Sequence, residues 1–278
     1  MAVLTSYGIS GRECSASLEL LKANSSEGGI CWFPGEAQPK NFKAIYENRT
    51  TVLVHSSGKR IISPEHLNAA ALTFPNCEFA LTAPQGELPL LDGSAKLWQA
   101  ALNAAAAVGA GSARPYGGGV CPDNGGTTNL NFYTPEQKQF EIGTNDRYLK
   151  YEGVVGAGSA RPYNALEIQY TINRFNQKFS ATVQIKTPDD LEKIFLARTF
   201  IFEQELQTAN LSENLKGCGL LLQSGKKNDL RFENEPAYHK ILDFLGDISI
   251  YSNSLPVGKF TILNGGHELH QIAIGYTS

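Results

Sequence analysis

At 278 residues, 42% hydrophobic and 18% charged, the chain has material for one large or two medium cores. A formal charge of -3 without a basic run argues against a nucleic-acid surface, and no apolar stretch has the length needed to span a bilayer. The start, M-A-V-L-T-S-Y-G, has neither a charged n-region nor an apolar h-region, so no secretory signal is expected. Cys14, Cys31, Cys77, Cys121 and Cys218 are odd in number and lack Cys-x-x-Cys spacing. That pattern suits a reducing compartment, favours the cytoplasm, and leaves histidines and carboxylates as the metal-binding side chains.

Between Glu13 and Phe33 the text C-S-A-S-L-E-L-L and G-G-I-C-W-F predicts two strands, paired antiparallel across the turn material A-N-S-S-E-G. Ala44 to Val54 and Lys59 to Ile62 give further strands. A helix is expected over Pro64 to Leu72, with Ser63 as its cap and Glu65-His66 in its first turn, where Glu65 favours the helix dipole. The alanines that follow let another element approach closely. After the apolar run from Cys77, Asp92-Gly93 reads as a turn, with Asp92 or Ser94 capping a helix over Ala95 to Val108. These elements predict a first α+β domain over residues 1–112.

Ala104 to Thr128 is rich in Ala, Gly and Ser and reads as linker or loop. Within it V-G-A-G-S-A-R-P-Y, Val108 to Tyr116, recurs unchanged at Val155 to Tyr163; its spacing fits no phosphate-binding fingerprint, so it reads as duplicated loop material. Asn145 to Tyr151, Leu166 to Ile172 and Phe179 to Ile185 are strand candidates, and Thr187-Pro188 starts a helical turn. The second domain, 113–278, thus repeats the first in outline. Phe200, Phe202 and Leu206 follow, apolar residues suited to core packing of a helix or strand.

The most informative stretch runs from Asn234 to His270. Asn234 is placed to cap a helix and Pro236 suits its first turn, while Ile241, Leu242, Leu245 and Ile248 form one apolar stripe. Beside the stripe, His239, Asp243 and Asp247 stand four apart and line up on adjacent turns. A rise of about 6 Å over four residues leaves a gap that one ion can bridge, and a solvated hydrogen-bonded pair uses the same spacing. An adjacent Glu-His pair such as Glu65-His66 likewise serves either as a polar helix start or as a base beside a metal ligand.

The strings S-P-E-H-L-N-A-A, E-L-P-L-L-D-G-S-A, L-A-R-T-F, L-R-F-E-N-E-P-A-Y-H-K-I-L-D-F-L-G-D and G-G-H-E-L, in that order, resemble the UDP-3-O-acyl-N-acetylglucosamine deacetylases, zinc enzymes of bacterial lipid A synthesis. The resemblance runs from about Gly8 to Ile274 and is thin between Ala104 and Arg161. It implies an α+β fold of two similar domains, each a mostly antiparallel sheet with two helices in a two-layer sandwich, with the site between them. It implies His66, His239 and Asp243 as zinc ligands with a fourth position open, and Glu65 as the base that takes a proton from water. Thr199 and His267 would stabilise the oxyanion, His267 on its flexible Gly-Gly loop would protonate the leaving amine, and Asp247 would hold His267. Lys240 would meet substrate oxygen or phosphate, Phe200 and Phe202 would line an acyl-chain passage, and Phe175 would lie near the uridine. Departures fall at Ser10, where the family carries a histidine, at Asn176-Gln177 in place of His-Pro, and at His270 in place of asparagine.

The expected function is removal of the N-acetyl group from UDP-3-O-acyl-N-acetylglucosamine. The alternatives are a zinc amidohydrolase acting on another N-acyl sugar, or a non-catalytic metal-binding relative. The partner is the UDP-linked acylated sugar, without nucleic acid or a transmembrane segment, and with at most a transient approach to a membrane surface.

Overall fold

The computed structural model describes residues 2–25, 28–109, 129–153, 165–206 and 217–277. In chain order the first half gives β1 (Ala2–Tyr7), β2 (Glu13–Ala23), β3 (Gly29–Cys31), β4 (Phe42–Glu47), β5 (Thr50–His55), β6 (Arg60–Ile62), α1 (Glu65–Ala71), β7 (Cys77–Thr82) and α2 (Lys96–Gly109). Strict alternation makes β2 a sheet strand: Cys14, Ala16 and Leu18 are buried while Glu13 and Glu19 face out. The sheet order is β1-β2-β7-β3, with β3 parallel to β7. The expected direct pairing of the Glu13 and Gly29 segments is therefore corrected. The run from Cys77 buries Cys77, Phe79 and Leu81, so β7 takes the central slot between β2 and β3.

The stretch from Ala44 to Val54 is a hairpin, not one strand. Asn48 and Arg49 both take positive φ, 48° and 69°, and join β4 to β5, which pairs onward with β6. Ser63 does not cap α1: it sits at φ 60° and its hydroxyl lies 2.9 Å from Thr50 Oγ1, leaving Pro64 at the N-cap. At α2 the capping expectation holds through Ser94, whose Oγ accepts from Lys96 N at 3.3 Å and donates to Asp92 Oδ1 at 2.8 Å.

The second half gives β8 (Phe132–Tyr133), β9 (Gln139–Thr144), β10 (Arg147–Glu152), β11 (Leu166–Arg174), β12 (Gln177–Ile185), a 3-10 turn at Pro188–Leu191, α3 (Glu192–Phe195), β13 (Phe200–Phe202), β14 (Leu220–Leu222), α4 (Glu235–Ile248), β15 (Leu255–Pro256), β16 (Gly258–Leu263) and α5 (His267–Thr277). Thr187 caps the 3-10 turn in a capping box with Asp190. The sheet order is β12-β11-β16-β10-β9, antiparallel except for β11 with β16. Asn234 enters α4 at φ 61° without a capping bond, because its Oδ1 accepts from Ser180 N at 3.1 Å instead. The expected domain division at 112/113 and most of the repeated V-G-A-G-S-A-R-P-Y text lie outside the described residues.

The fold is α+β: its two larger, mostly antiparallel sheets are packed by helices, beside the three-stranded β4-β5-β6 sheet and two short parallel pairs, β13-β14 and β15-β8. Helices α1 and α2 pack on the first sheet, α4 lies on β11 and β12, and α1 meets α4 so that the helical layers face each other. Ala69, Ala70 and Ala71 of α1 are all fully buried among its neighbours. Gly246 of α4 lies against the Glu65 backbone, where an added Cβ would fall on the Glu65 carbonyl oxygen. Asn68 Nδ2 ties the pair by donating to Gly246 O at 2.7 Å and Ser249 Oγ at 2.9 Å. Replacing Gly246 with alanine should force the helices apart and lower stability by about 1–3 kcal/mol. Urea denaturation checks this, and an unchanged midpoint would refute the close approach.

Candidate metal centre and active site

The α1–α4 contact brings Glu65 and His66 over one turn of α4. His66 Nε2 lies 3.3 Å and His239 Nε2 3.2 Å from the same atom, Asp243 Oδ1, and the two rings meet edge to face with centroids 5.0 Å apart. All three residues are buried, and one donor atom from each lies within 4.8 Å of the others. His239 Nδ1 is 3.2 Å from the Ala197 carbonyl, which accepts its N–H and leaves the Nε2 lone pair facing His66 and Asp243. Burial pushes the His239 imidazole down to about 3, despite the opposing charge of Asp243. Burial acts to raise Asp243, yet His239, Lys240 and the bond to His66 hold it well below the usual carboxylate range. Two imidazoles and a carboxylate so placed are a donor set able to hold a metal ion.

A second cluster adjoins the first. Glu65 Oε1 accepts from Thr50 Oγ1 at 3.2 Å, whereas Oε2 is buried without a hydrogen-bond partner. Burial foremost raises this carboxyl above its ordinary value. The imidazole of His267 is not on a flexible loop: it occupies the first turn of α5 and is buried, with Gly265-Gly266 just before it. Its Nδ1 lies 2.8 Å from Asp247 Oδ2 and its Nε2 3.7 Å from Asp243 Oδ2. Burial acts to lower His267, but Asp247 overcomes it and lifts the imidazole to about 9. Glu65, Asp243 and His267 each bring an atom within 4.8 Å of the others.

The site opens into a cavity of about 560 Å³ whose lining includes Phe200, Phe202, Lys240 and His267. Lys240 Nζ donates to Asp243 Oδ2 at 2.8 Å and lies 5.6 Å from the Phe200 ring centre. Phe200 is half-buried, edge-on to His239 at 5.9 Å, while Phe202 is buried against it and against Phe175. Phe175 sits at the β11–β12 turn at φ 51° under Arg174. Thr199 bridges the halves through its backbone, its N donating to Gly93 O at 2.6 Å and its O accepting from Leu220 N at 2.8 Å. Leu206 is the last described residue before 217, so the rest of the expected passage insert lies outside the described residues. Ser10 bonds Glu87 through its N at 2.7 Å and its Oγ at 2.6 Å.

Several residues at the site escaped the sequence reading. Thr51 Oγ1 donates to Asp247 Oδ1 at 2.6 Å, and His270 Nδ1 lies 2.7 Å from Asp247 Oδ2. Arg49, Arg147 and Arg174 line the cavity from three different strands or turns. In the sequence His270 is marked only as standing where the family carries asparagine, with no role attached; Thr51 gives no local signal, and the arginines are far apart in sequence.

Residues 134–275, just over half of the chain, match the family profile "LpxC: UDP-3-O-acyl N-acetylglycosamine deacetylase". The chain belongs to this family. A curated UDP-3-O-acyl-N-acetylglucosamine deacetylase of Campylobacter fetus subsp. fetus is 27% identical over 96% of this chain and 86% of its own length. Its counterpart in Aliivibrio fischeri is 28% identical over 96% of this chain and 84% of its own. The one in Aquifex aeolicus reaches 36%, over 28% of this chain and 30% of its own length. This LpxC-family chain is accordingly a deacetylase, a hydrolase of lipid A biosynthesis, and it carries groups able to hold a metal. Among the described residues no helix is long and apolar enough to cross a membrane.

The Ala197 carbonyl behind His239 is held by its neighbour. Arg198 Nε and Nη2 donate to the two oxygens of Glu235 at 2.8 Å and 3.1 Å, and Glu235 is fully buried at the start of α4. Burial raises the Glu235 carboxyl, but the Arg198 and backbone hydrogen bonds outweigh it and hold it below 4.5. Its stabilisation is therefore complete above the ordinary glutamate range and is lost as pH falls through the depressed folded value. Arg198→Met should cost about 1–3 kcal/mol at neutral pH, because Glu235 stays buried with only the backbone N–H groups of Arg198 and Arg231 as donors. Urea melts should also show the gap between variant and parent closing as the pH falls.

Proposed function

We propose that the chain is a zinc-dependent amidase that removes the N-acetyl group from a UDP-linked, 3-O-acylated N-acetylglucosamine. The observation that carries the reading is the buried Glu65 Oε2, a carboxylate oxygen without a partner beside His66 and close to Asp243 and His267. Leaving such an atom unpaired is costly, and a water molecule awaiting deprotonation supplies the missing donor. The names of the curated relatives supply the substrate class.

His66, His239 and Asp243 would hold the ion, their lone pairs converging and the His239 tautomer fixed from behind. Bound there, zinc supplies Lewis acidity that lets water react near neutral pH and polarises the amide carbonyl. Glu65 takes the proton of the attacking water as its oxygen adds to the acetyl carbon. The Thr199 hydroxyl and the His267 N–H stabilise the oxyanion that results. As the C–N bond breaks, His267 gives its Nε2 proton to the amine, and acetate leaves. Asp247, on Nδ1, keeps His267 protonated until that moment. Lys240 compensates the outer oxygen of Asp243, and Arg49, Arg147 and Arg174 line the cavity beside Asp146 and Glu205; Arg49 and Arg174 pair with Glu205 and Arg147 with Glu268, so a diphosphate would have to exchange for these carboxylates. Phe200 and Phe202 form the apolar side that would take the acyl chain, with Phe175 near the uridine.

The same reading divides the chain at 1–112 and 113–278, the first domain bringing Glu65 and His66 and the second the remaining catalytic groups. It sets the reaction in the cytoplasm, with the acyl chain responsible for any approach to a membrane surface. A different N-acyl sugar is the second reading. The Phe175–Asn176 turn, where the family's His-Pro is replaced, is bonded to the Ser224–Asn228 loop, with Ser224 Oγ donating to Phe175 O at 3.3 Å. Uridine diphosphate should compete with substrate, and failure to compete would favour that second sugar.

Metal analysis with turnover measurements tests the roles. About one zinc per chain is expected, with His239→Ala losing the metal. Glu65→Ala and His267→Ala should keep it while losing about 100- to 10,000-fold in kcat. Full activity in Glu65→Ala would exclude the proposed base.

The passage makes a separate demand on the two phenylalanines. Phe200→Ala should impair long-chain substrates more than short ones, and equal losses would remove the passage. Phe202, buried at 1% exposure, should also cost about 3–5 kcal/mol of stability when cut to alanine.

A further inference from the structure

Asp247 is gripped by more donors than its place beside His267 requires. Its Oδ1 accepts from Thr51 Oγ1 at 2.6 Å, and its Oδ2 meets His267 Nδ1 at 2.8 Å and His270 Nδ1 at 2.7 Å. His270 has no solvent exposure, and its ring packs edge-on to Phe244 with centroids 5.2 Å apart. Its other nitrogen, Nε2, lies 3.4 Å from Tyr170 Oη. With Nδ1–H committed to the carboxylate, Nε2 is the lone-pair atom and the phenol donates to it.

The two imidazoles on one oxygen are not equivalent. His270 is closed to solvent with Tyr170 Oη on its far nitrogen, whereas His267 turns its Nε2 toward Asp243 and lines the cavity. An aspartate carboxylate turns readily about its last torsion. A turn here would carry Oδ2 away and swing the His267 ring with it. Donors from β5 and from two successive turns of α5 prevent that rotation.

We propose that His270 is a positioning residue for His267. Its fixed Nδ1–H holds the Asp247 carboxylate in the single orientation that turns His267 Nε2 toward Asp243 and Glu65. The proposal rests on the reading of His267 as the proton donor. It is specific to the donor at position 270 and not to the volume there, so an asparagine, which carries one N–H where Nδ1 stands, should serve.

The test compares the zinc-loaded parent with His270→Asn, His270→Leu and His267→Ala. His270→Leu should lower kcat about 10- to 100-fold with KM within about threefold and metal content unchanged, while His270→Asn stays within about threefold of the parent. His270→Met replaces the leucine variant if that one does not fold. The proton NMR signal of His267 Nδ1–H, assigned by its loss in His267→Ala, should be sharp in the parent and His270→Asn and broadened in His270→Leu. Equal impairment of the asparagine and leucine variants, a leucine variant at the parent's rate, or an unaltered signal in it would each overturn the proposal. So would a second zinc per chain that depends on His270, since Asp247, His267 and His270 would then be ligands. If His267→Ala keeps its turnover, the proton-donor reading falls, and the NMR comparison still decides whether His270 positions that ring.

Discussion

Everything at the site depends on how near helix α1 comes to helix α4. A glycine at 246 removes the side chain that would otherwise hold the two helices apart at the Glu65 backbone. The first turn of α1 then sits directly over the middle of α4. His66 arrives within hydrogen-bond range of Asp243, and Glu65 points into the same space. Neither helix carries a complete site. Asn68, bonded to Gly246 and Ser249, fixes the axial register of the two, so that Glu65 and His66 face His239 and Asp243 and not a neighbouring turn.

Close packing of ionisable groups creates an electrostatic problem whose solution is the chemistry. Glu65, Asp243 and Asp247 share a buried space with His66, His239, His267 and His270. Their environments push them apart: Asp243 and Asp247 are held ionised, Glu65 is raised, His267 is raised, and His239 and His270 are lowered. On the proposed function, the pattern would separate groups that bind, which need lone pairs, from groups that move protons, which need values near the working pH. His239 becomes a neutral donor because burial dominates and its N–H is taken by Ala197. His267 differs because a fully buried carboxylate lies on its Nδ1.

The parts of this arrangement visible in sequence are those fixed by local spacing. His239, Asp243 and Asp247 had to share a face once Asn234 to Ile248 was helical, and the Glu65-His66 helix was legible from its proline and alanines. The resemblance joined these pieces, which no periodicity could do. Boundaries were misread where a side chain found a better partner elsewhere: Ser63 bonds Thr50 and Asn234 bonds Ser180, so neither caps its helix through its side chain. The β4–β5 hairpin was hidden because its turn is Asn-Arg and not Asn-Gly. The position of β7 between β2 and β3 could not be read locally, since strand order is decided by tertiary pairing and β7 alternates buried and part-exposed residues as β2 does.

His267 shows why the Gly-Gly pair before it matters in a different sense from flexibility. An added Cβ at Gly265 would collide with Ile262 and the Tyr170 hydroxyl, so the glycine lets the chain turn tightly from β16 into α5. That turn sets the first residue of α5 against the last full turn of α4. The imidazole therefore reaches Asp247 from a helix end, where its backbone is held by hydrogen bonds and its ring by burial. In the proposed role of proton donor, this ring would not have to be ordered by substrate. The cost of ordering was met when α5 folded against α4, and the proposed catalysis would inherit its precision from the same packing that closes the core.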